Sequence, residues 1–119
     1  GSTSNSQIIG KTYYLDIEDS NGPLADHGAY RIIYGNGTYD APGDHYVSDS
    51  HGTYTIRIND DQMVMSTNDH LLGRATWTFT YDTDGSSGTY VLTTTSYGTQ
   101  EGHFTTAAPV RIATPTGAG

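Results

Sequence analysis

Five histidines, His27, His45, His51, His70 and His103, are the residues best suited to chemistry in this chain. Three directly follow an aspartate, as Asp26-His27, Asp44-His45 and Asp69-His70, and Glu101 lies close to His103. Imidazole changes charge near neutral pH and is the commonest metal ligand, while a neighbouring carboxylate orients it or completes a metal shell. The spacings match no standard zinc motif, so neither a metal site nor a cofactor is expected. Ten tyrosines form a second reservoir. A phenol can donate a proton or steady a developing oxyanion beside a histidine base. Asp82-Thr83-Asp84-Gly85 opens like a calcium loop, but its glycine comes too early and no glutamate closes it. A β-turn explains it better. No Ser/His/Asp signature, phosphate-binding glycine loop or basic nucleic-acid patch is present.

The elements that must hold these residues alternate with period two. Residues 11–18 place Tyr13, Leu15 and Ile17 on one face, and 28–35 do the same for Tyr30, Ile32 and Tyr34. A short strand is predicted at 38–41, after Gly35-Asn36-Gly37. Segment 52–58 aligns Tyr54, Ile56 and Ile58, and 62–67 aligns Met63 and Met65. In 74–82, Ala75, Trp77, Phe79 and Tyr81 oppose Thr76, Thr78 and Thr80. Segments 88–95 and 102–106 carry Tyr90, Leu92 and Phe104 inward. No stretch has helical spacing longer than a turn. Gly-Thr-Tyr recurs at 37–39, 52–54 and 88–90, with Gly102-His103-Phe104 as a variant, which reads as hairpin grammar: a glycine turns the chain into each strand and an aromatic follows inward. The expectation is a single all-β domain, an antiparallel up-and-down barrel of about eight strands. Residues 1–9 are expected to be a disordered leader whose Gly1-Ser2 looks like a cleavage scar, 10–112 the barrel, and 113–119 a flexible tail.

In such a barrel alternate connections share an end. The short turns 35–37, 59–61 and 83–87 fall at one end, and the longer segments 19–27, 42–51, 68–73 and 96–101 at the other. All five histidines lie at or beside the second end, which predicts a polar, titratable mouth over a tyrosine-rich interior. The plainer account is that aspartate caps turns and longer loops collect polar residues by default. The inward aromatics carry the same pair of readings. They fill a barrel as core, or those nearest the mouth touch a ligand.

Composition narrows the partners. The chain has 119 residues, five Lys+Arg against thirteen Asp+Glu, a formal charge of −8, and no cysteine. An acidic surface repels phosphate backbones and anionic headgroups, so neither nucleic acid nor membrane is an expected partner. A small-molecule ligand is, and a homodimer is compatible with the sequence. The cysteine-free, lysine-poor, threonine-rich chain fits a secreted or periplasmic setting, and no signal peptide or membrane-length apolar run is read in it.

The stretch Ala75–Asp82, then Asp84-Gly85-Ser86-Ser87-Gly88-Thr89-Tyr90, and the closing Gly102-His103-Phe104-Thr105 resemble small bacterial lipocalin-like (calycin-type) barrels over roughly residues 10–107. The opening Gly10-Lys11-Thr12-Tyr13-Tyr14 is similar to barrels of the phenolic acid decarboxylase type, which carry paired tyrosines, an arginine and a glutamate inside. Here no inward glutamate can be placed, and Arg31 and Arg57 fall on the outer face. An avidin-like pocket cannot be built from Trp77 alone.

Three functions follow as expectations. The first is a lipocalin-like binding barrel holding a small ligand through Tyr13, Tyr30, Tyr54, Trp77, Tyr81 and Tyr90. The second is a small barrel enzyme doing lyase, isomerase or cyclase chemistry, with His27, His51 or His103 as base and Tyr30 as acid. The third is a structural or adhesive module whose outer sheet meets a partner.

Overall fold

A computed structural model describes residues 8–42, 49–83 and 85–106. His45 and Asp44, the aspartate at 84, and the expected leader through residue 7 and tail beyond 112 lie outside them. Eight strands follow in order: β1 (Thr12–Asn21), β2 (Gly28–Tyr34), β3 (Thr38–Ala41), β4 (Ser50–Asn59), β5 (Gln62–Asp69), β6 (Gly73–Tyr81), β7 (Ser87–Thr94) and β8 (Thr99–Thr105). Each pairs antiparallel with the next, and β8 returns to β1, so the sheet closes as an up-and-down barrel. Both the eight strands and their order match the alternation in the sequence.

Parity decides which side chains enter. Tyr13, Leu15 and Ile17, then Ile32 and Tyr34, Tyr54 and Ile56, Met63 and Met65, Ala75, Trp77 and Phe79, Tyr90 and Leu92, and Phe104 are all buried. Arg31 and Arg57 are exposed, as their parity requires. Burying each large apolar side chain contributes roughly 1.5–3 kcal/mol, so this inner face is what drives closure. The core also takes in Ile8, two positions before the expected start of the barrel. Gly10 N–H donates to Tyr34 O (2.8 Å) and Tyr34 N–H to Lys11 O (3.0 Å), which ties the segment across that end.

The packing is uneven along the barrel axis. At the end of the short turns 35–37, 60–61 and 82–86, Tyr13 stacks on Phe104 at 5.4 Å and meets Tyr34 and Phe79 edge-on at 5.3 Å. Phe104 meets Phe79 and Tyr81 edge-on at 5.2 and 5.1 Å. The hydroxyls of Tyr13 and Tyr81 hydrogen-bond each other. These contacts make a solid aromatic floor. Tyr54 belongs to the same half, with its hydroxyl donating to Gly35 O at 2.5 Å. At 82–86 Gly85 N–H donates to Asp82 O (2.9 Å) with Gly85 at φ 74°, a hairpin turn that accounts for the calcium-like sequence.

Three glycines of the repeated Gly-x-aromatic pattern lie inside strands rather than ahead of them. A Cβ on Gly52, Gly88 or Gly102 would sit 2.2, 1.9 or 2.0 Å from the carbonyl oxygen of Asn68, Thr80 or Asp16 on the neighbouring strand. Strands curve this tightly only where no side chain intervenes. The inward ring two residues after one glycine then covers another. Tyr90 lies over Gly102, and Phe104 over Gly88.

Candidate ligand-binding cavity

Above the floor the interior is not filled. A cavity of about 370 Å³ lies toward the end of the long connections. Trp77 and Ile32 stand on the floor side, and Tyr30, Tyr39, Ala41, Thr67 and Leu92 form the wall. The connections contribute Leu24 from 22–27, Leu71 and Leu72 from 70–72, and Tyr97 from 95–98. Leu71 and Tyr97 are among the exposed large apolar side chains of the molecule, and both stand at this rim. A volume near the low end of the roughly 300–1,000 Å³ typical of small-molecule sites, with mostly apolar walls, suits one compact ligand.

Three buried polar side chains, Thr67, Asp69 and Gln100, line this volume, and two of them organise its wall. Gln100 is 5% exposed, and its Oε1 accepts from the hydroxyls of Tyr30 (2.8 Å) and Tyr90 (3.0 Å). Its Nε2 donates to Ala25 O at 3.0 Å, which fastens the 22–27 connection to the wall. Asp69 is 6% exposed. Its Oδ2 accepts from the Tyr39 hydroxyl at 2.5 Å, and its Oδ1 from the backbone N–H groups of Leu71 (2.8 Å) and Leu72 (3.2 Å). The tyrosines keep their protons. Burial raises the Tyr30, Tyr39 and Tyr90 phenols above their ordinary range, and for Tyr39 the hydrogen bond to Asp69 and its charge add to that shift.

The six aromatics expected to touch a ligand separate into two groups. Tyr30 and Trp77 line the cavity, and Tyr90 stands behind it through Gln100. Tyr13, Tyr54 and Tyr81 are spent in the packed half. The wall uses Tyr39, Asp69 and Gln100 instead. Both polar residues continue the inward alternation of their strands, Met63-Met65-Thr67-Asp69 on β5 and Phe104-Gly102-Gln100 on β8. Following the alternation four residues beyond Met65 and four before Phe104 would have found them.

The four described histidines do not line the cavity. His27 is exposed and its Nδ1 lies 2.7 Å from Asp26 Oδ1, a hydrogen bond that holds the Asp26 carboxyl below its ordinary value. His51 and His70 stack on the outer surface at 3.8 Å between ring centroids. His103 faces outward on β8 and pairs with Glu18. None of these four lines the cavity, so the structure does not bring His27, His51 and His103 together with Tyr30. Among the described residues no group of three or more carboxylates and histidines is placed to hold a metal ion. No protein-family model matches the chain, and neither a curated protein nor a solved structure matches it.

Proposed function

We propose that this chain is a lipocalin-like binding barrel that takes one small, partly apolar molecule into its long-loop end. The observation that carries the reading is the cavity itself: one end of the barrel is filled with interlocked aromatics while the other keeps about 370 Å³ open between apolar walls and the buried side chains of Thr67, Asp69 and Gln100. A barrel of this strand number holds either side chains or one small ligand, and this one divides its length between the two. The outward histidines weigh against acid–base catalysis by His27, His51 or His103, since none stands at the cavity wall. Closure of β8 onto β1 gives every described strand a neighbour on both sides, so the sheet has no terminal strand to offer for strand addition, although β2 meets β3 at only two pairs, Ile33↔Asp40 and Tyr34↔Tyr39.

The test uses Trp77, the single tryptophan, which lies at the cavity floor. Its fluorescence and the melting temperature are followed against amines, phenols, organic acids, fatty acids and sugars. Ligand at a hundredfold excess over its dissociation constant adds about 2.7 kcal/mol. For a domain of this size that is a shift of several degrees. Ala41→Phe puts a ring into the cavity from a wall position and should abolish both signals while leaving the barrel folded. A panel in which nothing moves either signal would overturn the reading.

A further inference from the structure

Charge enters the described cavity wall at one residue. Asp69 is the one charged side chain among its described lining residues, and no lysine or arginine lines it. Burying a carboxylate is costly unless donors or a counter-charge compensate it. The donors present are all neutral: two backbone N–H groups on Oδ1 and the Tyr39 hydroxyl on Oδ2. Among the described residues, the His70 ring has its Nδ1 3.9 Å from Oδ1, on the outer surface and 3.2 Å from the carbonyl oxygen of His51. A carboxylate offers about four acceptor sites, so Oδ2 can take a further donor. Around the same volume stand Tyr30, Tyr39, Trp77 and Tyr97, and aromatic rings attract cations. The chain as a whole carries −8, which draws cations toward the opening and repels anions.

Resting on the binding reading above, we infer that the ligand is a small organic cation, an amine on an apolar or aromatic body, whose ammonium group donates to Asp69 Oδ2. A neutral ligand leaves the buried carboxylate with no counter-charge from the described residues inside the cavity. An organic acid sets a second negative charge beside it.

Three ligands of one shape separate these cases on the unaltered protein: phenethylamine, phenethyl alcohol and phenylacetate, each titrated against Trp77 fluorescence. The amine should bind at least roughly tenfold more tightly than the alcohol, because the charged pair strengthens the hydrogen bond, and the acid should not bind. Asp69→Asn keeps an acceptor for the Leu71 and Leu72 amides. It should lose roughly tenfold for the amine and leave the alcohol unchanged. Should that variant not fold, the charge series on the unaltered protein decides alone. Alcohol or acid binding as tightly as the amine overturns the cation and leaves the cavity reading standing. So does a neutral or anionic hit from the wider panel with every amine silent. Amine binding undiminished in folded Asp69→Asn overturns the assignment to Asp69. Silence across the whole panel removes the cavity reading and this inference with it.

Discussion

Gln100 joins three parts of the molecule through one amide: Tyr30 on β2, Tyr90 on β7 and the backbone of Ala25. Replacing it with Ala strands two phenols and a carbonyl, at a cost of about 2–4 kcal/mol in urea unfolding. Ligand affinity should fall as well, because the 22–27 connection loses its anchor. The outward histidines behave oppositely. Alanine at His27, His51 and His103 together should leave ligand-induced melting shifts within about 1 °C of the parent, since surface substitutions typically change stability by under 0.5 kcal/mol. Loss of binding in that triple variant would restore the histidines to the site. The aspartate–histidine dipeptides stood out in the sequence because imidazole is rare and chemically versatile. Their position in connections said which end they occupied but not which way they faced. Asp69 was visible only as the partner of His70, and it is the member of that pair that enters the barrel.

At the scale of strands, the alternation located every element but ended four of them two or three residues early, all at the same end. β1 runs on to Asn21, β4 begins at Ser50, β5 continues to Asp69 and β8 starts at Thr99. The added residues are polar, so hydrophobic periodicity fades there while the backbone ladder continues, as in the pairs Asn21↔Thr99 and Gly52↔Asp69. Apolar patterning marks the packed core and the apolar cavity wall. It fades at the cavity mouth, where the inward positions pass to Thr67, Asp69 and Gln100, and so the polar part of the site was the least legible part of the fold. The inward glycines give the matching test. Gly102→Ala must push Asp16 and its strand away from a Cβ 2.0 Å from a carbonyl oxygen, and should cost at least about 2 kcal/mol. Thr93→Ala, on the exposed face of β7, should cost under about 0.5 kcal/mol. Equal melting temperatures for the two would contradict the close approach of β8 to β1.

For the whole molecule, the phenols set an alkaline limit to stability. Burial raises Tyr13, Tyr30, Tyr34, Tyr39, Tyr54, Tyr81 and Tyr90 above the ordinary tyrosine value. Unfolded, these groups lose protons near pH 10, whereas the native barrel holds them neutral. The unfolded state therefore binds fewer protons above that pH. Stability is fully present below it and falls as pH rises toward the native values. Phenolate absorbance should appear in one steep step coinciding with loss of near-ultraviolet circular dichroism, and a gradual rise with the fold intact would show the rings to be wetted. The floor that shields those rings has a kinetic consequence too. With the base of this cup solid among the described residues, a guest of the proposed cavity enters and leaves by the doorway at the end of the long connections, and two guests cannot pass. Substitutions at Leu71 or Tyr97, in the doorway, should change arrival and departure rates together. Substitutions at Trp77, deep in the cup, should change departure alone, since most affinity differences within one site reside in the off-rate.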